Sequence, residues 1–121
     1  MALGKIKADQ LEHSTAGSLD TQFVVNGSAK CASAHSTDAI LDSGFNVSSI
    51  TDQGTGTFDT NYTNSFSAAT NVYSSTRFAT STIGFTYILS TTTSSHRVDS
   101  AGHAGDMQDK PVSSTVHGDL A

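Results

Sequence analysis

The sequence predicts an all-β chain: an antiparallel β-sandwich or jelly-roll-like domain with a short N-terminal arm. Its apolar residues come in short β-branched and aromatic clusters, and Gly, Asn and Asp separate these clusters. Alternation is strictest over residues 83–89, where every odd position is apolar, so we expect this strand to bury that face. Helical spacing of apolar residues is absent beyond residue 12.

The N-terminal part is predicted to contain an arm followed by the first hairpin. Residues 1–18 are expected to form an extended arm and a small-residue linker. Residues 22–25 are predicted as the first strand, which ends at Asn26-Gly27, a two-residue hairpin signal. Residues 29–35 are then expected to pair back onto it.

The middle of the chain is predicted to hold a strand, a tight turn and a second strand. Residues 45–50 alternate, which places Phe45 and Val47 on one face. Residues 57–63 are predicted to form the second strand, after the tight turn. The structural turn residues between these strands are Asp52, Gly54 and Gly56.

The remaining strands complete a sandwich or barrel. Phe58 and Tyr62 lie in phase, so we expect both side chains on one face. Residues 101–111 are rich in Gly and Asp and are predicted to form a long loop. Further strands are predicted at residues 72–79, 83–90, 96–98 and 112–117.

Length and charge restrict the function. The chain has 121 residues, which predicts one domain at residues 19–121 after the arm. Its net charge is −5 and its six Lys and Arg residues are scattered, which argues against nucleic-acid binding. No apolar run approaches the length of a membrane span, and residues 1–9 lack the apolar core of a signal peptide. We expect no membrane insertion.

The chain has a single cysteine, Cys31, so no intrachain disulfide can form. We expect Cys31 to be a buried small apolar residue. A small β domain without disulfides needs another source of stability, and covering its edge strands by self-association is the favoured one. The prediction is a homo-oligomer, with a trimer preferred.

Candidate chemical groups are few. Residues 96–106 contain His96, His103 and two aspartates, so a metal site is conceivable, and a ring of His117 side chains on a trimer axis is a second arrangement. Because the spacing fits no established ligand pattern, these three histidines are weak candidates and no metal or cofactor is predicted. The turn at residues 52–56 lacks the ligand series of a calcium loop.

An enzyme is not predicted. The sequence has no nucleophile elbow, and its one glutamate, Glu12, lies in the arm.

Aromatic residues that could stack on a sugar are expected to pack in the core, with surface binding by one or two of them as the alternative. These aromatic residues are Tyr62, Phe66, Tyr73 and Tyr87.

Several segments resemble a known family. Residues 25–30 are V-N-G-S-A-K, and residues 45–56 are F-N-V-S-S-I-T-D-Q-G-T-G. With N-Y-T at 61–63 and G-D-L-A at 118–121, they resemble a small β domain of tail-fibre and other virion structural proteins of tailed phages, familiar from marine and cyanobacterial phages. The resemblance is good over residues 19–70.

The resemblance implies a non-catalytic, surface-exposed structural protein of a phage virion, assembled in the host cytoplasm. A homo-oligomeric tail-fibre or appendage module is the first hypothesis. The family places an aromatic residue where this chain has Cys31-Ala32, and only about twenty residues precede the domain. A capsid decoration or head-fibre protein is therefore the alternative, and a soluble carbohydrate-binding or adhesin module is the second.

The expected partners follow from these hypotheses. They are further copies of the chain, other virion proteins and a host surface glycan or receptor. Residues 72–110 hardly match the family pattern and include the long loop, so we expect particle-specific contacts there.

Overall fold

The computed structural model describes residue 4 and residues 8–77 and 84–121. Ile6 and Ile83, and the end of the strand predicted at 72–79, lie outside the described residues. Nearly all regular structure is β, with one short helix in the described part. The elements are β1 Gln10–His13, β2 Gly17–Asp20, α1 Thr21–Gly27, β3 Cys31–His35, β4 Leu41–Phe45, β5 Val47–Gly54, β6 Thr57–Tyr62, β7 Val72–Arg77, β8 Gly84–Thr91, β9 Ser95–Gly102 and β10 Val112–His117.

Two four-stranded sheets form the body of the protein. Sheet I has the strand order β4-β3-β10-β7, and sheet II has the order β5-β6-β9-β8. Strands β1 and β2 form a separate hairpin, and all pairings are antiparallel. The predicted all-β sandwich is confirmed, whereas the jelly-roll topology stays a prediction.

The core lies between the two sheets in two clusters. In one cluster Val116 of β10 packs with Tyr62 of β6. In the other, Val112 of β10 packs with Phe58 of β6 and Val98 of β9. Strand β10, predicted at residues 112–117, thus lies inside sheet I and joins both clusters, with every second side chain buried. The expectation that Phe58 and Tyr62 share one face is confirmed, and that face is buried.

The glycine-rich turn joins β5 to β6. The Asp52 carboxylate accepts a hydrogen bond from the Gly54 amide at 2.8 Å. Gly54 and Gly56 have φ angles of 125° and 73°, which favour glycine because a Cβ is strained there. At Gly56 a Cβ would also lie 2.5 Å from the Ser100 carbonyl oxygen. This turn holds the β5–β6 hairpin against β9.

The predicted first hairpin is wrong. Residues 22–25 belong to helix α1, and Asn26 and Gly27 end that helix instead of forming a hairpin turn. An Asn-Gly pair suits both situations, since Gly is also common where a helix stops. Strand β3 is present near its predicted position, but it pairs with β10 and β4.

The predicted arm and linker are also different. Residues 10–20 form the β1–β2 hairpin, with Gln10 opposite Asp20 and His13 opposite Gly17. Gly17 has a φ of 92°, a conformation that glycine adopts without strain. The small residues at 14–16 therefore form a turn.

The strand predicted at 45–50 is divided between the two sheets. Asn46 has a φ of 56°, which Asn tolerates better than most residues. Its side-chain oxygen accepts a hydrogen bond from the Asn64 amide at 2.7 Å. Phe45 consequently ends β4 in sheet I with an exposed ring, while Val47 begins β5 in sheet II and packs on the core.

The alternation of β8 is correct, but the buried face is the opposite of the predicted one. Thr86 and Ile88 point inwards and Ile88 packs on the core, because the register pairs Ile88 with Val98 of the buried strand β9. Phe85, Tyr87 and Leu89 are 48%, 41% and 52% exposed. Strand β9 is also longer than predicted, so the loop after it begins at residue 103.

Candidate functional site

A polar network crosses the core between the two sheets. His96 of β9 lies between Tyr62 of β6 and Ser114 of β10. Its Nδ1 is 2.9 Å from the Tyr62 hydroxyl, and its Nε2 is 2.8 Å from Ser114 Oγ. Ser114 Oγ is in turn 2.9 Å from Ser33 Oγ of β3. The network therefore ties three strands of the core to the central strand β10.

The network contains a serine and a histidine in contact, but it is not accessible. His96 is 1% exposed, and both of its ring nitrogens are hydrogen-bonded. Burial lowers the pKa of His96 to about 4, so the ring is neutral at pH 7. Burial also raises the pKa of the Tyr62 phenol. Because its side chains are buried between the sheets, this arrangement links the two sheets.

His35 is a second buried histidine that sequence reasoning did not single out. Its ring lies 4.6 Å from that of Phe58, centroid to centroid. Nδ1 donates a hydrogen bond to the Ser36 carbonyl oxygen at 2.9 Å, and Nε2 has no hydrogen-bond partner among the described residues. Burial lowers the pKa of His35, so the core holds two uncharged imidazoles. The alternation of β3 was the signal that could have placed it inside.

The three weak metal candidates lie in different places. His96 is in the core, and His103 is exposed in the loop after β9. His117 ends β10, where its Nδ1 is 2.8 Å from the carbonyl oxygen of Gly27 in α1. Across the described ranges, no group of three or more His, Cys, Asp or Glu side chains is placed to hold a metal ion.

The lone cysteine is part of the core. Cys31 is fully buried in the cluster with Tyr62 and Val116. Burial raises the pKa of its thiol to about 11, which keeps the thiol protonated. The expectation of a buried small apolar residue is confirmed.

The candidate stacking residues divide between the core and the surface. Tyr62 and Phe66 pack edge to face in the core at 4.9 Å between centroids, and Tyr73 is half-buried beside His96. Tyr87 lies on the outer face of sheet II. Its partner there is Phe85, which the sequence had placed inside.

We call the exposed side chains of Phe85, Tyr87 and Leu89 the β8 strip. The two rings are 6.2 Å apart between centroids, and their planes differ by 30°. Tyr87 lies opposite Asp99 in the β8–β9 register, and the neighbouring Asp99 carboxylate raises the pKa of the Tyr87 phenol. The strip therefore contains two exposed, nearly parallel rings and one leucine on strand β8, which is an edge strand of sheet II.

A charged pair lies on the same outer face. Arg97 of β9 donates two hydrogen bonds to the Asp59 carboxylate of β6, at 2.6 and 2.7 Å. The two residues are opposite each other in the β6–β9 register, so the pairing of these strands brings the two side chains together for the bidentate contact.

The second exposed apolar region is the N-terminal unit, residues 8–28, which comprises the β1–β2 hairpin and α1. No side chain described in this unit is buried. It meets the sandwich through the His117 contact to Gly27, followed by a hydrogen bond from the Lys30 amide to the Val116 carbonyl at 2.8 Å. Its exposed apolar side chains are Leu11, Leu19, Phe23, Val24 and Val25.

Comparisons of the chain with protein-family models, with curated proteins and with solved structures found no match. Within residues 8–77 and 84–121, no helix has the length and apolar character that crossing a bilayer requires.

Proposed function

We propose that this chain is a non-catalytic, surface-exposed structural protein of a tailed-phage virion, acting as a homo-oligomeric tail-fibre or appendage module. The observation that carries the proposal is the N-terminal unit, whose apolar side chains are all exposed beside a well-packed sandwich. Such a surface is the kind that a protein covers by assembly.

The energetics of the N-terminal unit favour a partner. An isolated two-stranded hairpin is marginally stable in water, and so is a helix as short as the seven-residue α1. Burying a large apolar side chain contributes about 1.5–3 kcal/mol. Covering Leu11, Leu19 and Phe23 would thus supply the stability that the unit lacks by itself.

The core histidines support a non-catalytic role. The buried His96 has both nitrogens hydrogen-bonded, and the buried His35 packs on Phe58. The family-like segment at residues 45–56 supplies strand β5 and the turn into β6, which are structural features. The phage assignment itself comes from the sequence resemblance.

A capsid decoration or head-fibre protein is the alternative within the virion. Both roles need a surface-exposed β domain anchored to a larger assembly, so the location on the particle separates them. We favour the tail because the resemblance is to tail-fibre domains.

The test is immunogold labelling of purified phage particles with an antibody raised against this chain. Gold at the tail or its fibres is the expected result. Gold spread over the head would replace the tail-fibre role by the decoration role. Absence of gold from intact particles, when the same antibody detects the purified chain, would overturn the virion proposal.

A further inference from the structure

We propose that Asn26 is a site of spontaneous covalent modification, where the side chain cyclises onto the Gly27 nitrogen and then opens to aspartate or isoaspartate. The Asn26-Gly27 pair ends helix α1 at the junction between the N-terminal unit and the sandwich. The modification needs only this pair and water, so it does not depend on the proposed role in a virion.

The reaction forms a ring and then opens it. The Gly27 nitrogen gives up its proton and attacks Cγ of Asn26, and the bond from Cγ to Nδ2 breaks as the new bond forms. Nδ2 takes up that proton and leaves as ammonia, which leaves a five-membered succinimide. Water then opens the ring. Opening at Cγ gives aspartate, whereas opening at the main-chain carbonyl carbon gives isoaspartate, in which the chain runs through the former side chain.

Gly27 presents the attacking nitrogen without hindrance. A side chain on the residue after asparagine slows the cyclisation, because its Cβ crowds the nitrogen and restricts the backbone. Gly27 has no Cβ, and a Cβ at this position would meet no described atom within 4 Å. Asn26 and Gly27 are both exposed, so water reaches the ring once it has formed.

The Asn26 side chain differs from every other asparagine side chain of the protein. Within the described part of the chain, no hydrogen bond holds the Asn26 amide. Each of the other four asparagines has a hydrogen-bonded side chain and is followed by a residue other than glycine. These four are Asn46, Asn61, Asn64 and Asn71. Asn26 alone can therefore turn its Cγ freely towards an unhindered nitrogen.

Helix α1 restrains the reaction only weakly. In a helix the amide of residue 27 points to the carbonyl of residue 23, so the last turn must open before the nitrogen can attack. Helix α1 has seven residues, none of them buried, with no acidic residue in its first turn and no basic residue in its last. The carboxylate of its N-cap, Asp20, accepts a hydrogen bond from Gln10 at 2.7 Å in the hairpin and does not cap the helix. A helix as short as this opens readily.

The product disturbs the junction between the unit and the sandwich. His117 Nδ1 donates a hydrogen bond to the Gly27 carbonyl oxygen at 2.8 Å. Isoaspartate adds a carbon to the main chain directly before Gly27, which displaces this carbonyl and interrupts the helix. Both products also place a negative charge at the C-terminal end of α1, where the helix macrodipole disfavours it. Modification of Asn26 therefore loosens the N-terminal unit from the sandwich.

The experiment is incubation of the full chain at mildly alkaline pH, followed by peptide mapping with mass spectrometry. We expect the peptide that contains Asn26 to show the mass change from amide to acid, while the other four asparagines stay unmodified. Gly27→Ala should slow the conversion at least roughly tenfold, because the Cβ hinders the attack and alanine stabilises the helix. The open space at Gly27 accepts the methyl group, and circular dichroism establishes that the variant is folded.

The His117 ring reports the effect on the junction. Its NMR signals should shift in the converted chain, while those of the buried His96 should not. Gly27→Ala, incubated in the same way, is the matched control and should keep the His117 signals that it has when fresh.

Three results would overturn the proposal. The first is no mass change at Asn26 in the folded chain over a time in which a synthetic peptide of residues 21–30 converts. The second is conversion of Gly27→Ala at the wild-type rate. The third is a converted sample whose His117 signals are those of the fresh chain.

Discussion

The N-terminal unit exposes all of its large apolar side chains, whereas the sandwich exposes some of its own and buries others in a core. In the sandwich, Phe58 is fully buried and contacts the His35 ring, while Phe23 in α1 is 57% exposed. The sandwich pairs four strands in each sheet around a shared core, whereas the unit has a two-stranded hairpin and one short helix. This difference underlies our proposal that the sandwich supplies its own stability and that a partner stabilises the unit.

The largest expected effect is a contrast between two phenylalanines. Phe58→Ala removes a ring from the centre of the core and should lower the free energy of unfolding by about 3–5 kcal/mol. Phe23→Ala should change it by less than about 0.5 kcal/mol in the isolated chain, because the ring is exposed. Urea unfolding followed by circular dichroism measures both. Equal losses would mean that the unit packs on the sandwich in solution.

The second prediction concerns the pH dependence of the sandwich. The folded-state pKa of His96 is about 4, below its ordinary 6.5, so the unfolded chain binds the proton more readily. This contribution to stability is complete above about pH 6.5 and is lost as the pH falls towards 4, by about 3 kcal/mol. Buried His35 acts in the same direction.

Unfolding midpoints between pH 4 and pH 8 check this prediction. His96→Gln keeps a hydrogen-bonding side chain but cannot titrate, so the fall in stability below pH 6.5 should become shallower. His103→Gln, at an exposed position, is the matched control and should leave the slope unchanged. An unchanged slope in His96→Gln would show that His96 does not set the acid sensitivity.

The third prediction concerns assembly and has a smaller effect on folding. Val25→Asp places a charge in the N-terminal unit and should reduce the oligomer measured by light scattering. Val72→Asp, at a 69% exposed position on β7, should leave the oligomer intact. Both should change the free energy of unfolding of the monomer by about 0.5 kcal/mol or less. Dissociation by the Val72 substitution alone would move the interface from the unit to the sandwich.

Much of the sandwich follows from the sequence because its signals are local. A strand was predicted at residues 112–117, where β10 lies, and the spacing of Phe58 and Tyr62 predicted that they share a face. Turn chemistry predicted the bend after Asp52. Both signals act within a few residues, so they do not require knowledge of the partner strands.

The errors arise where distant parts of the chain decide the outcome. The face that β8 buries depends on the register of Ile88 against Val98, which local alternation cannot supply. The Asn26-Gly27 pair ends a helix, and β3 pairs with β10 from the far end of the chain instead of with residues 22–25. Because alternation alone placed the odd-numbered side chains of β8 inside, the exposure of the Phe85 ring was not predicted.

The core network was also beyond sequence reasoning. His96 meets Ser114 across the two sheets, and Ser114 meets Ser33, which lies 81 residues away. Nothing local to these serines distinguishes them from the many others in the chain. His96 was noticed for its neighbours in the following loop, although its actual partners are on other strands.

Amide hydrogen exchange tests the central claim most directly. Exchange of the isolated full chain at low concentration is compared with exchange of the same chain in its assembled form, as purified particles. We predict that residues 10–27 exchange quickly in the isolated chain and at least roughly tenfold more slowly in the assembly, while β10 is protected in both. Equal protection of residues 10–27 in the two samples would contradict the claim that a partner covers the N-terminal unit.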